Sequence, residues 1–304
     1  MRVVTQRRPA TDKDSPAALA LGFFDGVHLG HCAVLGSMMA YAQEQGLRPA
    51  VFTFGGGPKD DGKGRRLMTV AEKEDRLRTM GVDSCYVPPF DSFYFLSPEE
   101  FFYDMLLKEY NARALFCGEN FNFGARRSGN VDLLQKMCRE NAVAMCVVPT
   151  TLYKGQPVSS TRIRTALAAG AISEANAMLG RPYEVAFATQ GQRHGVKRGL
   201  CVQGLCCPAE LQSPAPGAYI AQVLEDGCAV PAVLACGMPF ADSGQPSCDV
   251  FVCAEEQLPE GQPLRVRLFE KLEEVQEPAP LQADALRRCA AQSRSYFATE
   301  GGPQ

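Results

Sequence analysis

"AALALGFFDGVHLGHCAVLGSMMAYAQEQGLRPAVF", residues 17–52, carries the change of period from which the fold is read. "AALALGFF" is a short apolar run without charge, the pattern of a strand covered on both faces. In "HCAVLGSMMAYAQEQG", Leu35, Met38, Met39 and Ala42 recur at three- and four-residue intervals, which puts them on one face of a helix. "RPAVFTFGGG" then returns to strand, so the stretch is a βαβ unit.

The connection inside this unit, "GFFDGVHLGH" at residues 22–31, holds two of the three histidines of the 304-residue chain. Gly22 and Gly26 permit a tight strand-to-helix turn, and Gly30 leaves room where another group approaches the backbone. His28 and His31, three apart, face the same side of a helix start. Free backbone N–H groups and the helix dipole favour anions there, and imidazoles add hydrogen bonds to phosphate oxygens. No carboxylate or third ligand completes a metal set around the pair, so no metal ligands are assigned.

The alternation continues outward. "TVAEKEDRLRTMG" reads as a helix closed at Gly81 and "VDSCYVPPF" as a strand. "SPEEFFYDMLLKEY" is a helix with Ser97 as N-cap and Pro98 at the first helical position. "ARALFCG" and "AVAMCVVPT" are strands around a helix over 130–140. This pattern predicts a parallel sheet covered by helices. Two short helices, "STRIRTALAAG" and "SEANAMLG", follow, and beyond "RPYEV" the texture changes to short, partly alternating segments broken by Gly and Pro. A small antiparallel barrel or sandwich with a final helix from about Leu281 to Phe297 is expected there, giving domains at 1–185 and 186–304.

Composition narrows the function class. With 31 basic and 34 acidic residues the net charge is −3, which gives no electrostatic footprint for nucleic acid or membrane. No apolar run reaches about 18 residues and the charged N-terminus lacks the pattern of an export signal, so the expected location is cytoplasmic. The 13 cysteines are then expected as free thiols, without any CxxC pair for zinc.

Two further segments bear on chemistry. "VSSTRIRTAL", residues 158–167, clusters Ser159, Ser160 and Thr161 before a helix with Arg162 and Arg164, an N-cap that can also cradle polyphosphate. "CGENFNFGARRSGN", residues 117–130, follows a strand and brings Gly118, Asn120 and Asn122 to the sheet edge where α/β folds bind ligands. Phe121 and Phe123 read as core anchors for at least one of the pair, and core packing is also the account preferred for "FDSFYFLSPEEFF".

Taken in order, "GFFDGVHLGH", "GENFNFG", "SSTRIR" and "GRPY" make residues 15–185 resemble the FAD synthetase (FMN adenylyltransferase) module of bacterial bifunctional riboflavin kinase/FAD synthetases. The resemblance implies an N-terminal Rossmann-like nucleotidylyltransferase domain and a riboflavin-kinase-like β-barrel after it. It implies that His28 and His31 contact ATP phosphates, that Asn120 arranges the nucleotide, and that Ser160, Thr161 and Arg164 hold the triphosphate. Gly22, Phe24, Asp25, Gly26, Gly30 and Gly118 would shape the binding loops, with Mg2+ accompanying ATP and FMN as acceptor. Riboflavin would be a further substrate only if the second module is active.

The chain departs from the family pattern in two places. An "FEPHP"-like turn is replaced by "FGGGP" with Gly55–Gly57, and the kinase "GFPTAN" segment by "GLCCPAEL", residues 204–211, without its Thr and Asn. Asp249 is the best counterpart of the kinase glutamate. The expectation is therefore an FMN adenylyltransferase with a degenerate kinase domain. A bifunctional enzyme, a non-catalytic flavin or nucleotide sensor, and a cytidylyl- or pantetheine-type transferase stand as alternatives.

Overall fold

The computed structural model describes residues 1–8, 10, 15–54, 65–196, 200–225, 228–237, 250–254, 263–272 and 283–299. The turn at Gly55–Gly57 and the acidic candidate Asp249 lie outside them. By contacts the chain divides into two compact units, residues 1–64 with 68–160, and residues 65–67 with 161–304.

The first unit is built on six parallel strands: β1 (Arg2–Val4), β2 (Ala17–Leu21), β3 (Arg48–Phe52), β4 (Ser84–Tyr86), β5 (Ala112–Gly118) and, after two short pieces, β8 (Ala144–Val148). Their spatial order is β1-β4-β3-β2-β5-β8. The chain thus builds to one side of β2 through β3 and β4 and to the other through β5 and β8, making the gap between β2 and β5 the topological switch point. All five residues of β2 are buried, as its unbroken apolar sequence requires. Leu19 and Leu21 face one core with Phe52, Leu115 and Cys117. Ala18 and Ala20 face the other with Val51, Ala114 and Phe116. The edge strand β1, three residues from a charged terminus, carries too short a pattern to be read from sequence.

Helix α1 (Leu29–Gln45) follows β2 and buries Val34, Leu35, Met38 and Ala42; Met39 is only partly covered. Gly46 ends it in the left-handed conformation, φ 63°. Helix α2 (Val70–Thr79) begins in a capping box between Thr69 and Glu72. Ser97 and Glu100 form a second capping box at α3 (Pro98–Glu100), which continues over Phe101–Glu109 with a wider π-helical winding. Of the aromatic stretch around it, Phe93, Leu96, Phe101 and Phe102 are buried, whereas Tyr94 and Phe95 are exposed. A small ladder of β6 (Asn122–Phe123) and β7 (Gly129–Asn130) precedes α4 (Val131–Glu140). After β8, the hairpin of β9 (Leu152–Tyr153) and β10 (Gln156–Pro157) leads to α5 (Ser160–Ala168) and α6 (Ile172–Leu179).

The second unit is a closed antiparallel barrel. Its strands are β11 (Tyr183–Val196), β12 (Leu200–Cys206), β13 (Gly217–Glu225), β14 (Cys228–Cys236), β15 (Val250–Ala254) and β16 (Leu264–Lys271), in the circular order β11-β12-β15-β14-β13-β16. Closure removes the sheet edges that an open set of such strands would expose. Helix α7 (Ala283–Thr299) packs Leu286, Cys289 and Ala290 onto Ala218, Ile220, Val233 and Ala235. The buried Ser293 hydroxyl donates to Ala232 O at 2.8 Å. Arg66 also belongs to this unit, its N–H donating to Glu210 O and its carbonyl accepting from Gln212 N–H, each at 2.7 Å.

The two short helices, expected from sequence with the first domain, group with the barrel from Thr161 onward. Asn176 accounts for much of this: its Nδ2 donates to Leu268 O at 2.8 Å and its Oδ1 accepts from Tyr183 N–H at 2.7 Å. One amide group thereby fixes α6 against the starts and ends of two barrel strands. Asn176→Ala is expected to destabilise this unit by about 1–3 kcal/mol, the usual effect of stranding two partly buried backbone groups. Asn176→Asp keeps the acceptor for Tyr183 N–H but sets a carboxylate oxygen against Leu268 O, so it should cost at least as much. Urea denaturation of the three proteins checks the order, and an unchanged midpoint for the alanine variant would remove this role.

Candidate active site

At the end of β2 the chain enters a turn whose backbone is strained. Phe24 (φ 53°), Gly26 (φ 81°) and Val27 (φ 39°) all have positive φ, and for the β-branched Val27 this is a rare conformation. Such residues cost about 1–3 kcal/mol each and persist where the surroundings fix them. Phe24 and Val27 are fully buried, and Val27 N–H donates back to Phe24 O at 3.2 Å. Gly22 is needed for space rather than for its φ: a Cβ there would lie 3.0 Å from the Phe24 ring.

The turn delivers His28 as the N-cap of α1, its Nδ1 accepting from His31 N–H at 3.3 Å. Accepting at Nδ1 requires a lone pair there, which assigns the ring proton to Nε2. The two imidazoles stack with centroids 3.6 Å apart and planes 16° from parallel. Phe24 packs edge-on to His31 at 5.2 Å. The group for which Gly30 makes room is the His28 ring, since a Cβ on Gly30 would lie 3.2 Å from Cε1 and 3.3 Å from Nδ1. Asp25 is buried, and its carbonyl accepts from the Ser160 hydroxyl at 2.8 Å.

Seven polar or charged side chains are buried among the described residues, and four of them, Asp25, His28, Thr53 and Lys73, belong to this loop or to the elements behind it. Lys73 was not singled out from the sequence. Its ammonium group donates to Phe23 O at 3.0 Å, Thr53 Oγ1 at 2.9 Å and Phe54 O at 3.1 Å. A signal existed: Lys73 lies four residues before Leu77, and these two are the fully buried residues of α2. A lysine within an apolar helical stripe is a buried cation in search of acceptors.

The second loop leaves β5 on the other side of the switch point. Gly118 ends the strand with open space where a Cβ would be, and Asn120 is exposed, its carbonyl accepting from Asn122 Nδ2 at 2.9 Å. Phe123 is in the core and Phe121 is partly buried against it, as core anchors. Gly129 has no room for a side chain, because a Cβ there would lie 2.7 Å from the Phe123 ring. Glu119 accepts from both Thr150 N–H, at 2.9 Å, and Thr150 Oγ1, at 2.5 Å, joining this loop to the end of β8. Thr161 and Arg164 continue the helix that Ser160 opens but group with the second unit, where Arg164 Nη2 donates to Thr161 Oγ1 at 3.1 Å.

Two outcomes follow from these contacts. Gly30→Ala should displace the His28 ring by a few tenths of an ångström while α1 stays folded, because alanine is the better helix former by about 1 kcal/mol. Histidine-selective NMR reads this directly, and unmoved His28 resonances would show that Gly30 is not needed for clearance. The Thr150 hydroxyl, and then its amide, hold Glu119 below the usual glutamate range. A depressed carboxylate contributes its clamp above the unfolded-state value and loses it as pH falls through the folded value. The Thr150 amide signal should therefore titrate with a midpoint below that of an ordinary glutamate, and a midpoint at or above it would contradict the clamp.

Residues 10–162 match the family described as FAD synthetase. The chain is 33% identical over 212 residues to a bifunctional riboflavin kinase/FMN adenylyltransferase of Listeria monocytogenes, covering 66% of each chain. It is 33% identical over 215 residues to the protein of the same name from Escherichia coli, covering 68% of this chain and 67% of that one. The chain thus spans a little under two thirds of the Listeria relative. In fold it is similar over 100% of both chains, at a TM-score of 0.76 and 21% identity, to a crystal structure titled as a macrolide-efflux protein from Streptococcus pneumoniae. With the glycine-cleared histidine pair at the switch point and the family match across half of its length, the chain belongs to the FAD synthetase family.

Proposed function

We propose that the protein transfers AMP from ATP to FMN, giving FAD and pyrophosphate. The observation that carries this is the stacked pair His28 and His31 at the start of α1, packed on Phe24 and cleared by Gly30. With its proton on Nε2, His28 presents a neutral N–H donor to a phosphate oxygen, beside the anion-favouring helix start. An FMN phosphate oxygen attacks the α-phosphorus of ATP in line; the new P–O bond forms as the bond to the β-phosphate oxygen breaks, and pyrophosphate leaves with those electrons. Such chemistry requires positioning and charge neutralisation rather than a protein nucleophile.

Ser160 supports the same loop through the Asp25 carbonyl, and Thr161 and Arg164 follow it as triphosphate contacts in this reading. Asn120, exposed beyond β5, orients the nucleotide from the far side of the switch point. Two stacked imidazoles are a poor donor set for a hard cation that prefers oxygen, so magnesium is assigned to the substrate as the ATP complex, where it neutralises phosphate charge. For the flavin, Phe23, Phe54, Phe90 and Tyr94 form a run of rings with successive centroids 4.8, 5.8 and 5.6 Å apart, ending at an exposed tyrosine. A planar isoalloxazine suits such a face.

The barrel is read as a kinase-like domain with a degenerate site. Within "GLCCPAEL", the Ser213 hydroxyl donates to Cys207 Sγ at 3.2 Å, and Arg66 engages the carbonyl of Glu210 and the N–H of Gln212. Among the described residues no helix is long and apolar enough to cross a membrane.

Product analysis with ATP and magnesium, supplied separately with FMN and with riboflavin, tests the reading. FAD from FMN with riboflavin unchanged is the expected result; FMN formed from riboflavin would show an active kinase domain, and no product from either would favour a flavin or nucleotide sensor. CTP in place of ATP should support no transfer. In the same assay His28→Ala and His31→Ala should each lower turnover by about 100-fold or more, the scale of losing one donor to developing phosphate charge. Near-normal turnover in both would end the assignment.

A further inference from the structure

We infer that Lys73 is a positioning residue for adenylyl transfer, a buried ammonium group that sets the strained β2–α1 loop and through it the histidine pair; this rests on the activity proposed above. The three protons of Nζ meet three acceptors, Phe23 O, Thr53 Oγ1 and Phe54 O, at 3.0, 2.9 and 3.1 Å. A neutral amide could supply two such donors at most, whereas an ammonium supplies three in a tetrahedral spread. Thr53, itself fully buried, donates its hydroxyl to the same Phe23 carbonyl at 2.9 Å. The Phe23 carbonyl is thus held from two directions, and the ring of Phe23 covers the ammonium at 4.9 Å.

That carbonyl belongs to the peptide leading into Phe24, the first positive-φ residue of the turn. Fixing the plane of this peptide fixes the direction from which Phe24, Gly26 and Val27 carry the chain to His28. The other end of the clamp is equally constrained. Thr53 N–H donates to Tyr86 O at 2.9 Å, which ties it to β4, and the Thr69–Glu72 capping box sets where α2 begins and so where Lys73 points. Lys73 therefore transmits the position of α2 and of two strand ends to a loop that touches the reacting phosphates without touching them itself.

Burying a lysine costs desolvation, and a neutral replacement would remove the lysine's bond to Phe54 O and leave Phe23 O with the Thr53 hydroxyl in place of two donors. Lys73→Met keeps the length of the side chain and removes the donors; Thr53→Val is a milder cut that removes one hydroxyl. Two of the chain's three histidines, His28 and His31, lie at the loop and report its position. In folded Lys73→Met protein the His28 and His31 imidazole signals should move. The kcat for FAD formation should fall by roughly 10- to 100-fold, the scale of a misplacement of about 1 Å, with a smaller change in KM for ATP. Lys73→Arg should restore part of kcat.

Unmoved histidine signals with unchanged kcat in folded Lys73→Met protein would overturn the inference. If that variant does not fold, Thr53→Val decides: a shift of the same two histidines with a smaller loss of kcat supports the clamp, and no effect on either overturns it. Should the wild-type protein form no FAD, the activity reading fails by itself, and movement or stillness of the two histidine signals still decides whether Lys73 positions the loop.

Discussion

Between Leu21 and Leu29 the backbone leaves a buried strand and enters a helix through Phe24 and Val27, two non-glycine residues of positive φ. The position of the histidine pair depends on holding that unfavourable path. The local sequence alone does not hold it. Buried aromatic packing of Phe24, the back-bond from Val27 N–H, the Ser160 hydroxyl on Asp25 O and the ammonium group behind Phe23 O do so together. Strain of this kind is a reason to look for function, because a connection between strand and helix has cheaper routes.

The sheet supplies the place and the loop supplies the chemistry. The strand order reverses between β2 and β5, so the loops leaving those two strands flank one crevice. One loop brings an N-cap histidine stacked on a second; the other brings an exposed asparagine and a carboxylate clamped to Thr150. Neither loop would be placed by its own sequence. Burial of alternate residues of β2 on two cores fixes the strand and hence the starting point of the turn.

Legibility in the sequence followed the range of the interactions. The βαβ unit, the Ser97 cap and the stop at Gly81 could be read because period and capping are local. The space reserved by Gly30 was readable as a need but not in its object, since the ring it clears belongs to a residue two positions earlier. Lys73 escaped because its acceptors lie 19, 20 and 50 residues away, and a lysine on a charged helix looks solvated until its stripe is compared with Leu77. Asn176 on α6 reaches Leu268, 92 residues on, and Ala215 N–H donates to Leu167 O on α5, so the grouping of these helices with the barrel rests on long-range contacts. β1 pairs with a strand about 80 residues later and is too short to announce itself.

The histidine pair has a consequence for charge. Imidazoles stacked at 3.6 Å repel one another when both are protonated. The N-cap bond adds to this, because protonating His28 at Nδ1 would turn the acceptor for His31 N–H into a donor and free the helix start. The cap geometry is that of a His28 whose Nδ1 accepts, leaving Nε2 as its donor. For the adenylyl transfer proposed above, the cap bond leaves His28 one ring nitrogen with which to meet phosphate charge.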